Sequence, residues 1–243
     1  VLDENRINQA EASLKAMLGV IDLKGKRFLD AGSGSGLFSL AAKRLGANVY
    51  SFDFDPKSVA CTQELRRRYF PDDSEWTVVE ASVLDSDFLG SLGQFDVVYS
   101  WGVLHHTGAM WQALENVSTL VLGGGQLFVS IYSDQGWVSR YWHAVKRTYV
   151  RYPVVRWPLL LIHAPYPFFP SWLLRALKRR LGQERGMSFW HDLIDWIGGY
   201  PFEVAKPEDI FRFYRNKGLT LYEIKTTSRL GCNEYVFLQK PFV

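Results

Sequence analysis

The feature that most constrains this chain is the stretch Asp30-Ala31-Gly32-Ser33-Gly34-Ser35-Gly36, which closes an apolar run beginning at Lys26. Glycine reaches backbone conformations that other residues avoid, and it presents no Cβ to an approaching ligand. The residues that follow, Leu37, Leu40, Ala41 and Leu45, have helical spacing, and Gly46 stands where a C-cap belongs. The unit therefore reads strand, glycine turn, helix. A dinucleotide site would need G-x-G-x-x-G, with pyrophosphate on the helix N-terminus. Here the spacing is G-x-G-x-G, and Leu37 occupies the place of the last glycine. Asp30, two residues before the first glycine, would repel a pyrophosphate. A carboxylate there suits a ligand with a cationic group, such as an amine or a sulfonium.

The same alternation continues downstream. Asn48 to Phe52, Trp76 to Glu80, Phe95 to Ser100 and Gln126 to Ile131 read as strands. Asp55-Pro56 supplies an N-cap and a proline at the first helical position, and Cys61, Leu65 and Tyr69 are expected on one face of that helix. A further helix is expected over Ala109 to Val121, ended by Gly123-Gly124-Gly125. Alternating strands and helices imply an α/β fold around a parallel sheet with right-handed crossovers. Asp53 ends the second strand and lies 21 residues after Gly32. A carboxylate at about that distance, in this topology, accepts hydrogen bonds from ribose hydroxyls.

These pieces form an ordered set: Phe28 to Gly36, Phe52-Asp53-Phe54-Asp55, Ser82-Val83-Leu84-Asp85, Phe95 to Ser100 and Val103-Leu104-His105-His106. In that set the chain resembles the class I S-adenosylmethionine-dependent methyltransferases, nearest the small-molecule branch that includes the ubiquinone-biosynthesis O-methyltransferases. The resemblance covers about residues 20–132 and the tail from about 206. It implies a Rossmann-like, seven-stranded, mostly parallel sheet with helices on both faces. It also implies a cap inserted between strands 5 and 6. By resemblance, Asp30 and the backbone of Gly32, Ser33, Gly34 and Gly36 would hold the methionine end of the cofactor S-adenosyl-L-methionine. Asp53 would hold its ribose, and Phe54 would pack on its adenine. Ser82 and Val83 stand where the family often has Asp and a small residue, and they would meet the adenine edge. The Ser100 backbone would meet the methionine amino group. Pro207 to Lys217 reads as a helix, and Leu219 to Thr226 and Glu234 to Gln239 as two strands. They fit the antiparallel sixth and seventh strands of the family's sheet, a terminal hairpin that an ordinary dehydrogenase fold lacks.

Methyl transfer is an in-line displacement, so the protein must position the acceptor and manage one proton for an oxygen or nitrogen nucleophile. His106, with His105 beside it, follows the fourth strand at the edge where parallel sheets bind ligands. An imidazole titrating near ~6.5 can serve as a base at neutral pH. Trp101 is a candidate for the acceptor site. No metal is expected, because adjacent histidines diverge and no H-x-x-x-H or C-x-x-C is present.

Residues 133–200 differ in composition from the rest. They carry 14 of the 37 aromatics, and ten Lys/Arg against four Asp/Glu. Half of the ten prolines fall there as well. The reading is two parts: a cofactor-binding domain of 1–132 and 201–243, and a substrate cap of 133–200. Trp137 and His191 are the cap's candidate substrate contacts, and Trp172 to Leu181 reads as a basic amphipathic helix. Interleaved aromatic, aliphatic and basic residues suit contact with a membrane surface and a lipid-like acceptor. They equally suit an aromatic lid over a small polar molecule. A nucleic-acid acceptor is discounted, since Ser100-Trp101-Gly102-Val103 replaces the Asn/Asp-Pro-Pro-aromatic motif of amino-group base modifiers. The expected activity is methyl transfer to a small or lipid-like acceptor, at oxygen. The alternatives are a non-catalytic cofactor-binding sensor or scaffold, or an RNA methyltransferase. No apolar run approaches the ~18 residues of a membrane span. No targeting segment is visible after Val1-Leu2-Asp3-Glu4, and Cys61 and Cys232 read as core residues of a reducing compartment. The expected location is the cytoplasm, with peripheral membrane contact through the cap.

Overall fold

A computed structural model describes residues 3–163, 196–228 and 230–241. The chain divides into two compact units, 135–203 and the remainder formed by 2–134 with 204–243.

The larger unit is built on a seven-stranded sheet of β1 (Arg27–Ala31), β2 (Asn48–Asp53), β3 (Trp76–Glu80), β4 (Phe95–Trp101), β5 (Val121–Tyr132), β6 (Leu219–Lys225) and β7 (Cys232–Gln239). The strand order is β3-β2-β1-β4-β5-β7-β6. β1 to β5 pair in parallel, whereas β7 is antiparallel to both of its neighbours. β6 therefore runs the same way as β1 to β5, and the expectation of two antiparallel strands holds for β7 alone. Wedging β7 between β5 and β6 lets a short hairpin finish a sheet whose earlier connections are all crossovers.

Consecutive strand residues serve opposite faces, as the pleat demands. Phe28, Val97, Phe128 and Val236 belong to one buried cluster, and their neighbours Leu29, Val98, Leu127 and Phe237 to the other. The first cluster is completed by α1 (Glu4–Leu18) and α2 (Leu37–Arg44), the second by α5 (Met110–Thr119) and the helix Pro207–Asn216. Asp3 caps α1 by accepting the Arg6 N–H. Asp55 caps α3 (Pro56–Tyr69) by accepting the Lys57 N–H, with Pro56 opening the helix. That is the role its place before proline implied.

Two local expectations are corrected. The buried face of α3 is Val59, Thr62 and Leu65, while Cys61 is exposed and Tyr69 is partly so. Only Leu65 of the expected stripe is buried, because the sheet meets the helix on the row one residue further round. Gly123-Gly124-Gly125 does not end a helix but lies within β5, where the pairing with β4 shifts register between Phe95 and Val97. A Cβ on Gly125 would sit 2.8 Å from the Asp96 carbonyl oxygen, so close backbone approach requires the glycine.

The smaller unit contains α6 (Trp137–Arg151) and α7 (Arg156–His163). Trp142 is fully buried there, with ring centroids 5.3 Å from His163 and 5.7 Å from Trp196. Lys146 is buried as well and donates to the Trp196 carbonyl. Burial lowers its ammonium to about 8. The helix read at Trp172 to Leu181 lies outside the described residues. Among the described residues, no helix is long and apolar enough to cross a membrane.

Candidate cofactor and methyl-transfer site

The glycine turn leaves β1 at Ala31 and enters α2 at Leu37. Gly32, Gly34 and Gly36 all have positive φ, +86°, +54° and +77°. Two of them are also sterically enforced. A Cβ on Gly32 would lie 2.4 Å from Val103 Cγ2, and one on Gly36 would lie 2.9 Å from the Thr62 Cα. At Gly34 a Cβ would meet nothing within 4 Å. The turn is thus packed against protein at its first and third glycines and open at its middle one.

Asp53, at the end of β2, is bound to this turn. Its Oδ2 accepts the Gly34 N–H at 2.8 Å and its Oδ1 accepts the Asp55 N–H at 2.9 Å. Each carboxylate oxygen keeps a lone pair for another donor. Phe54, the next residue, is 78% exposed. A bare aromatic beside a half-saturated carboxylate is the arrangement a nucleoside needs: a face for the base and acceptors for the ribose. On the other side of the turn, Ser33 Oγ lies 3.1 Å from Thr62 Oγ1, which also donates to the Gly34 carbonyl. Thr62 of α3 therefore clamps the turn. The sequence reading missed it, because an isolated Thr in a helix carries no signal until the packing face is known.

Asp30 lies beneath the turn and is only 2% exposed. Its Oδ2 accepts the Ser39 hydroxyl at 2.5 Å. Burial raises its carboxyl to about 7, against the Ser39 bond and with some help from the Asp53 charge. Such a group favours a cationic partner that would restore its ionisation.

The remaining cofactor candidates follow β3 and end β4. The Ser82 hydroxyl accepts the Leu84 N–H at 3.1 Å, and the Val83 carbonyl accepts the Asn116 side-chain amide at 2.9 Å. Both residues therefore shape the turn before α4 (Ser86–Ser91). Ser100 is buried and donates its hydroxyl to the Ala31 carbonyl at 2.8 Å, tying the ends of β4 and β1 together. Asp30, the glycine turn, Asp53, Phe54, Ser82, Val83 and Ser100 thus line the carboxyl ends of four adjacent strands, where ligands of parallel sheets bind.

Trp101, the last residue of β4, is partly exposed and donates its indole N–H to Glu234 of β7 at 3.2 Å. Sequence reasoning did not single out Glu234, which reaches this edge only because β7 enters the sheet beside β5. His105 and His106 form a single 3₁₀ turn after β4. His105 is fully buried, its ring centroid 4.0 Å from that of Tyr132, while His106 is half-buried and edge-on to the same tyrosine at 5.5 Å. Tyr132, also missed, ends β5, and burial pushes its phenol up to about 12. Trp137 is the first residue of α6 in the smaller unit and is largely exposed. His191 lies outside the described residues.

Residues 29–127 match a family model described as a methyltransferase domain. A tRNA U34 carboxymethyltransferase of Methylococcus capsulatus is 31% identical over 158 residues, covering 65% of this chain and 46% of that protein. A ubiquinone biosynthesis O-methyltransferase of Aeromonas salmonicida is 33% identical over 110 residues, covering 44% of each. The matches thus span less than half the length of these curated relatives. Among solved structures, the S-adenosylhomocysteine-bound magnesium protoporphyrin IX methyltransferase of Synechocystis PCC 6803 is similar in fold. Its TM-score is 0.58 at 19% identity, covering 97% of this chain and 83% of that one. Residues 29–127 thus match a methyltransferase domain in sequence, and nearly the whole chain is similar in fold to a solved methyltransferase.

Proposed function

We propose that this chain binds S-adenosylmethionine along the edge from β3 to β4 and transfers its methyl group to an oxygen of a small or lipid-like acceptor. The observation that carries the reading is the pair of carboxylates around an open glycine. Asp30 is buried and needs a cation. Asp53 is fixed by Gly34 with acceptor capacity to spare. The methionine ammonium suits the first, the ribose hydroxyls suit the second, and the exposed Phe54 face suits adenine. When bound, the cofactor supplies an electrophilic methyl on a sulfonium. The protein's part is to orient the acceptor and hold one proton. His106 is the residue proposed to take that proton, a reading supported by its half-buried position in the turn after β4. His105, enclosed against Tyr132, holds that turn in place.

Methyl-labelled S-adenosylmethionine, incubated with protein and cell extract and then partitioned, tests this reading. Label in an organic or aqueous small-molecule fraction supports it. A second reading is supported by the M. capsulatus relative, whose name specifies carboxymethyl transfer to tRNA. Label in the polynucleotide fraction would favour that acceptor. Cofactor binding without any transfer would favour a sensor or scaffold.

Membrane contact by the smaller unit is supported by the exposed Trp157, Leu161 and Ile162 of α7. Co-sedimentation with anionic vesicles, abolished by Trp157→Ser with Leu161→Ser, is the expected result. Absence of sedimentation would overturn the membrane contact.

A further inference from the structure

Asp30 stands at the end of a chain of hydrogen bonds that begins in the hydrophobic core. The fully buried Trp76 of β3 donates its indole N–H to Ser51 Oγ of β2 at 3.0 Å. Ser51 donates to Ser39 Oγ of α2 at 2.8 Å, and Ser39 donates to Asp30 Oδ2 at 2.5 Å. Ser39 and Ser51 are also fully buried.

The polarity of this chain is fixed by chemistry. An ionised carboxylate only accepts, so Ser39 spends its single proton on Oδ2 and must receive at its oxygen from Ser51, while Trp76, whose indole N–H only donates, supplies Ser51. With Asp30 ionised, Oδ2 is therefore taken up by Ser39, and Oδ1 is left for another donor. We infer that Trp76, Ser51 and Ser39 are positioning residues: a one-way donor chain that fixes the Asp30 carboxylate and reserves Oδ1 for the cationic group of the ligand. This rests on the proposed cofactor reading for the identity of that ligand, although not for the chain itself.

The arrangement opposes burial. Removing a carboxylate from water favours its neutral form, whereas a short bond from Ser39 favours the ion. The result is a carboxyl near 7. The other titratable groups acting on it are Asp53, at the end of β2, and Tyr99 of β4, whose phenol burial holds well above its ordinary value. On the helices packed against this face, Lys43 of α2 is paired with Asp73 at 2.8 Å, and Glu11 of α1 with Arg44 at 2.8 Å.

Two readouts test the inference. The first is the titration of the Asp30 carboxyl carbon by NMR in the ligand-free protein. The second is the pH dependence of S-adenosylhomocysteine binding. Ser39→Ala should move the Asp30 midpoint upward by about one pH unit, as expected for losing a hydrogen bond to a charged group. Ser51→Ala and Trp76→Phe should move it in the same direction by successively less, because they act through Ser39. The binding midpoint should follow. An unmoved Asp30 midpoint in folded Ser39→Ala and Ser51→Ala proteins would overturn the donor chain. A moved midpoint in a protein that binds no S-adenosylhomocysteine would uphold the chain and overturn the cofactor reading instead.

Discussion

Asp53 Oδ2 accepts the backbone N–H of Gly34 at 2.8 Å, so the carboxylate at the end of β2 is joined to the open glycine in the turn after β1. Glycine turn and acidic residue therefore act as one unit. Asp53→Ala should weaken S-adenosylhomocysteine binding at least tenfold, through lost ribose acceptors and a loosened turn. Isothermal titration checks this, and unchanged affinity would remove Asp53 from the site.

The glycines should separate by mechanism. Any side chain at a positive φ costs roughly 1–2 kcal/mol. Gly32→Ala adds a clash with Val103 and should lose several degrees of melting temperature, part of which Val103→Ala restores. Gly34→Ala has open space, so it should cost only the backbone strain, about 1–2 kcal/mol, yet impair ligand binding more than its stability loss explains. Melting curves and binding isotherms on the two variants distinguish the cases.

The Asp30 carboxyl gives a pH signature in the ligand-free protein. Its value is raised from 3.8 to about 7 by burial, so below about pH 4 the folded and unfolded chains are both protonated and no penalty exists. Between those values the unfolded chain releases a proton that the folded one retains, and stability falls as pH rises. Above about 7 the penalty is complete, on the order of 4 kcal/mol at 1.36 kcal/mol per unit. The stability difference between Asp30→Asn and wild type should therefore grow in favour of the variant from pH 5 to pH 8. A difference that does not change with pH would contradict the burial of an ionising group there.

The two histidines should respond differently. His106→Ala is expected to lower turnover by 10²-fold or more while leaving the melting temperature nearly unchanged. His105→Ala, which empties a fully buried site against Tyr132, should destabilise the fold by roughly 2–4 kcal/mol. Equal loss of activity at equal stability in the two variants would exchange or merge these roles.

Much of this was readable from local rules. The turn glycines, the Asp55-Pro56 cap and the strands β1 to β4 follow from φ preferences, capping and apolar runs, which act over a few residues. Cys61 shows where such rules stop. Its helix was correctly placed, but which row of α3 faces the sheet depends on how the helix docks, so Thr62 rather than Cys61 meets the turn. The triple glycine was likewise read as a break, when its close approach to the Asp96 carbonyl shows a strand crossing a register shift.

The sequence alone determined the class of fold and pointed to the sheet edge and the kind of ligand that the proposed site would take. Each rests on residues adjacent in the chain and on a period that repeats. Only the tertiary structure decided which distant groups complete the site. Glu234 meets Trp101 across 133 positions, Tyr132 covers His105, and Ser51 and Trp76 stand behind Asp30. These contacts are set by strand order and by the pleat, which place residues far apart in sequence on the same face of one sheet.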